Sequence, residues 1–226
     1  MGSKRRIAKE ILPIILKDRE EGQWYVEPFC GGCNTIDKVI GNRLANDIHT
    51  PLIALYKALQ EGFAPPETVT EEEYNQAKKL EDTNPLKGFI GFNVTFGSKW
   101  FGGYARPRKN GYDRDAICGK IELERQRSLL QEVRFTNHSY QQLTLPDNSL
   151  IYCDPPYRNS TGYKDKFNHE EFYDWCRAKR AEGHTIFISE YTLPEDFICV
   201  WQREQTTALA GRQKSLKAVE KLFTLP

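Results

Sequence analysis

The apolar positions of the chain change rhythm twice, and the changes divide it into three parts. Residues 5–16 carry apolar side chains at helical spacing, with Pro13 placed to interrupt or kink the helix. Residues 24–26 read as a short strand, followed by a glycine turn and a helix running through Ile40. A second strand covers residues 43–46. The helix after it runs to about Gly62, with Thr50 as N-cap and Pro51 at its first position.

From residue 63 to about 132 the strand rhythm is lost. Ala64-Pro65-Pro66 marks the boundary, Thr70 and Glu73 make a capping box, and only helical and irregular segments follow. A helix at 115–131 leads back to strands at 133–137 and 150–153. Next comes a helix at 169–181, capped by Asn168 with Glu171 returning the contact. Strands at 185–189, near 198–203 and near 218–223 complete the pattern. Strands at both ends around a helical block predict an α/β domain, formed by residues 1–62 and 133–226, that carries residues 63–132 as a mostly helical insert.

Composition narrows the class. The 226 residues can bury a proper core, and a net charge of +1 means that any nucleic-acid surface is a local patch. No apolar run reaches the roughly 18 residues of a membrane span, and Lys4-Arg5-Arg6 is not followed by a signal-peptide core. The expectation is a soluble, cytoplasmic protein. Six scattered cysteines lack the density of a disulfide scaffold. Cys30 and Cys33 form a CxxC, but no second pair or nearby histidine completes a zinc site, so a metal or redox role is disfavoured.

The chemistry concentrates at Asp154-Pro155-Pro156-Tyr157. These residues follow the apolar strand 150–153, so Asp154 stands at a strand's carboxyl end, where open α/β sheets place their ligands. Two prolines without N–H groups send the chain out stiffly with its carbonyls turned outward. An amino group offers two donors and needs two acceptors, which the Asp154 carboxylate and the Pro155 carbonyl supply. Such contacts strengthen as positive charge grows on the nitrogen. Tyr157 offers a face on which a flipped-out base can stack. The bland alternative is a strand ending in a proline turn with a surface tyrosine.

Two further segments fit a nucleotide-like ligand. Glu27-Pro28-Phe29-Cys30-Gly31-Gly32-Cys33-Asn34 leaves the first strand through glycines that let backbone approach a ligand, ahead of an expected helix N-terminus. Asp47, at the tip of the next strand, sits where such folds hold a ribose diol, although a helix-capping role is nearly as well supported locally. Between Gly97 and Arg114 lie five basic residues against Asp113 alone. Lys99, Trp100, Arg106, Arg108 and Lys109, set among glycines and aromatics, fit phosphate contact and base stacking; the alternative is a solvated loop over packed aromatics.

These motifs in this order resemble the Dam-like, N6-adenine-specific DNA methylases found in phage and restriction-modification systems. The likeness runs through Gly2-Ser3-Lys4, residues 27–34, Ala45-Asn46-Asp47-Ile48, Asn137-His138-Ser139-Tyr140, residues 154–157, Ile188-Ser189-Glu190-Tyr191 and Glu220-Lys221-Leu222-Phe223. The family usually has an aromatic residue a few positions before the lysine, and the chain starts too late to supply it.

The resemblance implies a Rossmann-like, S-adenosylmethionine-dependent methyltransferase sheet with residues 63–132 as its target-recognition domain. It implies that Lys4, Glu27, Pro28, Phe29, Cys30, Gly31, Gly32, Asn34, Asp47 and Asp154 line the cofactor, and that Asp154, Pro155, Pro156 and Tyr157 serve the flipped adenine. Duplex DNA is the expected partner, a partner restriction endonuclease is compatible, and no metal is needed. Cytosine N4 methylation uses the same chemistry but more often starts the tetrad with Ser, and protein-glutamine enzymes usually have Asn there. A catalytically silent DNA-binding regulator is the rival from another class.

Overall fold

The computed structural model describes residues 4–107, 113–157, 167–207 and 216–226. The first helical pattern forms a 3-10 turn at Lys4–Arg6 and helix α1 at Ala8–Ile15, with Pro13 inside it. Ile7, Ala8, Ile11, Leu12 and Ile15 are buried, so this face seats the segment beneath the sheet.

Seven strands form one sheet: β1 (Tyr25–Glu27), β2 (Arg43–Asn46), β3 (Val133–Thr136), β4 (Leu150–Cys153), β5 (Thr185–Glu190), β6 (Ile198–Thr207) and β7 (Leu216–Thr224). Their order is β3-β2-β1-β4-β5-β7-β6. The first five are parallel neighbours, whereas β7 runs antiparallel to both β5 and β6. From β1 the chain crosses to β2 and β3 on one side and then returns to β4 on the other. The loops leaving β1 and β4 therefore diverge, and a crevice opens at their carboxyl ends. Glu27 ends β1 and Asp154 follows β4, so both carboxyl groups stand at that switch point.

Alternate residues of each central strand enter opposite layers. Tyr25, Ala45, Leu150 and Tyr152 pack with α1 and with helices α2 (Thr50–Gln60), α4 (Pro85–Asn93) and α5 (Arg114–Leu129). Val26, Leu44, Ile151 and Cys153 pack with Phe172, Tyr173 and Cys176 of α6 (His169–Ala181). Because both faces are covered, these strands read as continuous apolar runs. A residue such as Ile151, fully buried, contributes about 1.5–3 kcal/mol by leaving water. Between α2 and α5 lie the short α3 (Glu71–Ala77) and α4; Gly88 lets α4 lie directly on α2, for a Cβ there would stand 2.2 Å from the Pro51 carbonyl oxygen.

The element expectations hold at β2, β4 and α6 and at the Thr70–Glu73 capping box. Four details differ. The helix expected after the glycine turn is a single 3-10 turn at Ile36–Lys38. Thr35, Ile36, Val39 and Ile40 are β-branched and disfavour a helix. Buried Asp37, drawn to Lys38, Arg125 and Gln126, further fixes the chain there. Thr50 is not an N-cap; its hydroxyl donates to Asn137 Oδ1 at 2.8 Å, and Asp47 Oδ1 instead accepts from the His49 amide at 2.9 Å. Asn168 does cap α6, but Glu171 accepts from Gln141 rather than returning the contact. The last two strands are longer than their apolar pattern suggests, because they pair with each other as a ladder through polar residues such as Gln202 and Arg203.

Candidate active site

Four side chains from three distant parts of the sequence meet at the mouth of the crevice. Lys4 Nζ lies 3.0 Å from Asp154 Oδ1 and 3.5 Å from Glu220 Oε2, and it donates to the Tyr157 hydroxyl. The Tyr157 hydroxyl donates in turn to Glu220 Oε2 at 2.8 Å, and the ammonium stands 4.5 Å from the centre of the Tyr157 ring. The ring of Tyr191 meets Tyr157 edge to face at 4.7 Å. Burial by itself would lower the pKa of Lys4, but the two carboxylates outweigh it and hold the pKa above the ordinary value. Burial pushes Asp154 up, and Lys4 offsets only part of that rise. An N–H donor is thus held between a carboxylate and an aromatic ring, the contacts an exocyclic amine would use.

The two prolines are placed by their neighbours. Pro155 is buried, and the Pro156 carbonyl faces His169 Nε2 at 3.0 Å, tying the segment to the first turn of α6. Beneath them Tyr152 and Ser189 share a buried hydroxyl contact of 2.8 Å.

The glycine turn lies beside this cluster. Glu27 is buried, and one of its oxygens accepts from the Tyr25 hydroxyl at 2.9 Å and the Thr35 hydroxyl at 2.6 Å. Burial, which these donors only partly offset, raises its pKa to about 8, with Asp154 and Asp37 adding to the rise. Gly31 has φ +45°, and no atom lies within 4 Å of where a Cβ would stand. The Gly31 amide donates to Asp47 Oδ2 at 3.1 Å, and the Gly31 carbonyl accepts from the Tyr56 hydroxyl at 3.1 Å. Asp47 therefore tethers the glycine turn and caps the entry to α2 together. Burial raises its pKa, with the His49 and Gly31 amides partly offsetting the rise.

Not every residue expected at the cofactor turns toward the crevice. Pro28 is buried, and Phe29 packs against Tyr140, Phe167 and Phe172 at 5.4–5.8 Å, on the α6 side. Cys30 and Cys33 are buried free thiols across a tight turn, in which the Cys33 amide donates to the Cys30 carbonyl at 2.8 Å. Gly32 is exposed, and Asn34 is half-buried with its carbonyl accepting from Lys38 Nζ. In the basic loop, Lys99 is exposed and Arg106 is exposed in a loose pair with Glu71. Trp100 turns inward between His49, Phe92 and Phe101, while among the loop's described rings Phe96 is left in solvent, 76% exposed. Arg108 and Lys109 lie outside the described residues.

Sequence reasoning missed three supports. Asn46 makes four bonds, to Pro28 and His138 carbonyls and from Thr136 and the His138 amide, joining the ends of β1 and β3. Gln126 of α5 donates to the Gly32 carbonyl at 3.1 Å. Glu220 reaches the tetrad from the last strand. Glu220 and Asn46 belong to motifs that carry the family resemblance, whereas nothing in the pattern around Gln126 marks it.

Residues 1–100 match the family model of the D12 class N6 adenine-specific DNA methyltransferases. The resemblance carried by the motifs is therefore borne out by a comparison over the part that holds Lys4, the glycine turn and Asp47. The Rossmann-like sheet that the resemblance implies is likewise met, with five parallel strands and an antiparallel β7. The type II methyltransferase M.FokI of Planomicrobium okeanokoites is 26% identical over 214 residues, a match that covers 80% of this chain and 32% of that protein. The chain thus spans about a third of that relative's length. Among solved structures it is similar to SMU.472, whose methyltransferase assignment is itself provisional, in complex with SAH. The match has a TM-score of 0.39 and 12% identity, covering 99% of this chain and 52% of that one. At that score the fold rests on the strand order, not on the likeness. No helix among the described residues is long and apolar enough to cross a membrane.

Proposed function

We propose that this chain transfers a methyl group from S-adenosylmethionine to the N6 amine of an adenine flipped out of duplex DNA. The observation that supports it most is Asp154, held at the switch point with Lys4 and Tyr157, in a chain whose first hundred residues match the D12 class. S-adenosylmethionine, when bound, supplies a methyl group on a positively charged sulfur. The residues present fit such a cation: the Asp154 carboxylate stands at the end of one strand, the polar but neutral Glu27 carboxyl ends the adjacent strand, and no side chain fills the space at Gly31.

Lys4, Asp47 and the segment 27–34 would hold the cofactor, Asp47 keeping the turn in place through the Gly31 amide. The Asp154 carboxylate and the Pro155 carbonyl would each accept one hydrogen of the amine, drawing the nitrogen toward tetrahedral geometry and freeing its lone pair. Tyr157 would carry the base on its ring. Pre-set acceptors are worth most where charge develops, and no covalent intermediate is required. Residues 63–132 would recognise the target, with Lys99, Arg106, Arg108 and Lys109 on the phosphates and Trp100 supporting the loop from within. Such an activity is compatible with a partner restriction endonuclease.

The test is methyl transfer to unmethylated duplex DNA by the wild-type protein and by Asp154→Ala. Turnover should fall by roughly 10²-fold or more, by analogy with losing one oriented charge-stabilising group. A variant near wild-type turnover would remove the mechanism.

A further inference from the structure

We infer that Glu220 is a positioning residue for the methyl-transfer site, holding the Tyr157 ring and sharing the Lys4 ammonium so that Asp154 does not bind it alone. This rests on the proposed adenine methylation and assigns a residue to which that reading gives no part.

The sheet explains how the last strand reaches the first motif. Strand β7 runs antiparallel to β5, with Lys221 opposite Glu190 and Leu222 opposite Ser189. Glu220 therefore lies just beyond the carboxyl end of β5, at the same end of the sheet as Asp154. It shares strand parity with Leu222, which packs in the layer that also contains Tyr152 and α1, and Lys4 begins the segment leading into α1. One Glu220 oxygen accepts from the Tyr157 hydroxyl at 2.8 Å and lies 3.5 Å from Lys4 Nζ. The Glu220 side chain is 12% exposed and that of Lys4 7%, so solvent screens the pair only weakly.

The first effect is on the ring. The hydroxyl and Cβ of a tyrosine lie on one axis, so the Glu220 contact fixes where that axis points, and the Tyr191 ring, edge to face at 4.7 Å, limits rotation about it; together they set the face offered to a base. The second is on charge: Lys4 has a second carboxylate, and its charge is divided instead of resting wholly on the Asp154 oxygen that an incoming amine would need. Without Glu220 both the tilt and the division are lost. Positioning losses of this kind appear in the chemical step, since duplex affinity comes mainly from phosphate contacts elsewhere.

The experiment measures kcat and KM on unmethylated duplex for wild type, Glu220→Ala, Glu220→Gln, Tyr157→Phe and the Glu220→Ala/Tyr157→Phe double variant, with melting temperatures alongside. Losing a partly buried hydrogen bond to a charged acceptor should lower kcat about tenfold or more in Glu220→Ala, with KM for cofactor and DNA within about threefold. Glu220→Gln, which keeps an acceptor oxygen for the hydroxyl but has no charge to share with Lys4, should recover part of the loss and not all of it. In the Tyr157→Phe background Glu220→Ala should cost clearly less than it does alone. A Glu220→Ala enzyme at wild-type kcat, a loss confined to KM, or equal losses in both backgrounds would overturn the assignment. Should the alanine variant melt early, the glutamine variant and the cycle built with it decide instead. A wild-type protein that methylates no base overturns the parent reading; active wild type with an unaffected Glu220→Ala overturns only this one.

Discussion

Glu27→Gln should change the pH dependence of stability in a way that can be worked out from the structure. The Glu27 carboxyl is buried between two hydroxyl donors, and its pKa rises from an ordinary 4.5 to about 8, chiefly through burial, with Asp154 and Asp37 adding to it. Tyr25 and Thr35 bond to it as neutral hydroxyls, and the charges that act on it, Asp154 and Asp37, are negative and disfavour its ionisation. The folded state therefore keeps a proton that the unfolded state gives up. Stability tied to that proton is fully present below pH 4.5 and is lost as pH rises toward about 8. The interval of about 3.5 units, at about 1.4 kcal/mol each, sets an upper bound of about 5 kcal/mol. Glutamine keeps an acceptor oxygen for both hydroxyls and cannot ionise. Urea unfolding of both proteins from pH 4 to 9 should give a difference, variant minus wild type, that grows through this window and levels off beyond it. A difference independent of pH would refute the neutral-carboxyl assignment.

Three further outcomes are expected. Because Asp154 must accept hydrogens as a carboxylate and its pKa is raised, activity should be complete above that pKa and fall as pH drops through it. The acid limb of kcat should therefore lie above the ordinary aspartate value of 3.8, and a limb at or below it would contradict the burial account. Neutralising Lys99, Arg106, Arg108 and Lys109 together should reduce the salt slope of duplex binding, measured by anisotropy, by about 0.9 for each phosphate that is no longer neutralised; an unchanged slope moves the DNA surface elsewhere. Gly88→Ala should lower the melting temperature by several degrees, because the new Cβ meets the Pro51 backbone at 2.2 Å and overpacking of this kind costs about 1–3 kcal/mol. An unchanged melting temperature would mean that α4 moves off α2 freely.

Some parts of this structure are written locally and others are not. Strand β4 and helix α6 are legible to the residue because an apolar run bounded by turn formers, and an Asn cap before an amphipathic repeat, are local signals. The helix expected after the glycine turn is not, because the shape there is set by Asp37 bonding to Arg125 and Gln126, nearly ninety residues away. Asp154 and Tyr157 announce themselves through the prolines between them. That Lys4 meets them from 150 residues upstream, and Glu220 from the last strand, depends on strand order, which composition and periodicity do not encode. Trp100 shows the same limit in reverse: an aromatic in a basic loop looks like a stacking platform, and tertiary contacts with His49 and Phe92 turn it inward while Phe96 stays out.

The most direct measurement is nucleoside analysis. Purified protein is incubated with unmethylated duplex DNA and isotopically labelled S-adenosylmethionine, and the DNA is digested to nucleosides for mass spectrometry. The label should appear in N6-methyladenine, and with Asp154→Ala it should appear roughly 10²-fold or more slowly. Label in N4-methylcytosine, or no methylated base from a protein that still binds the cofactor, would contradict the account.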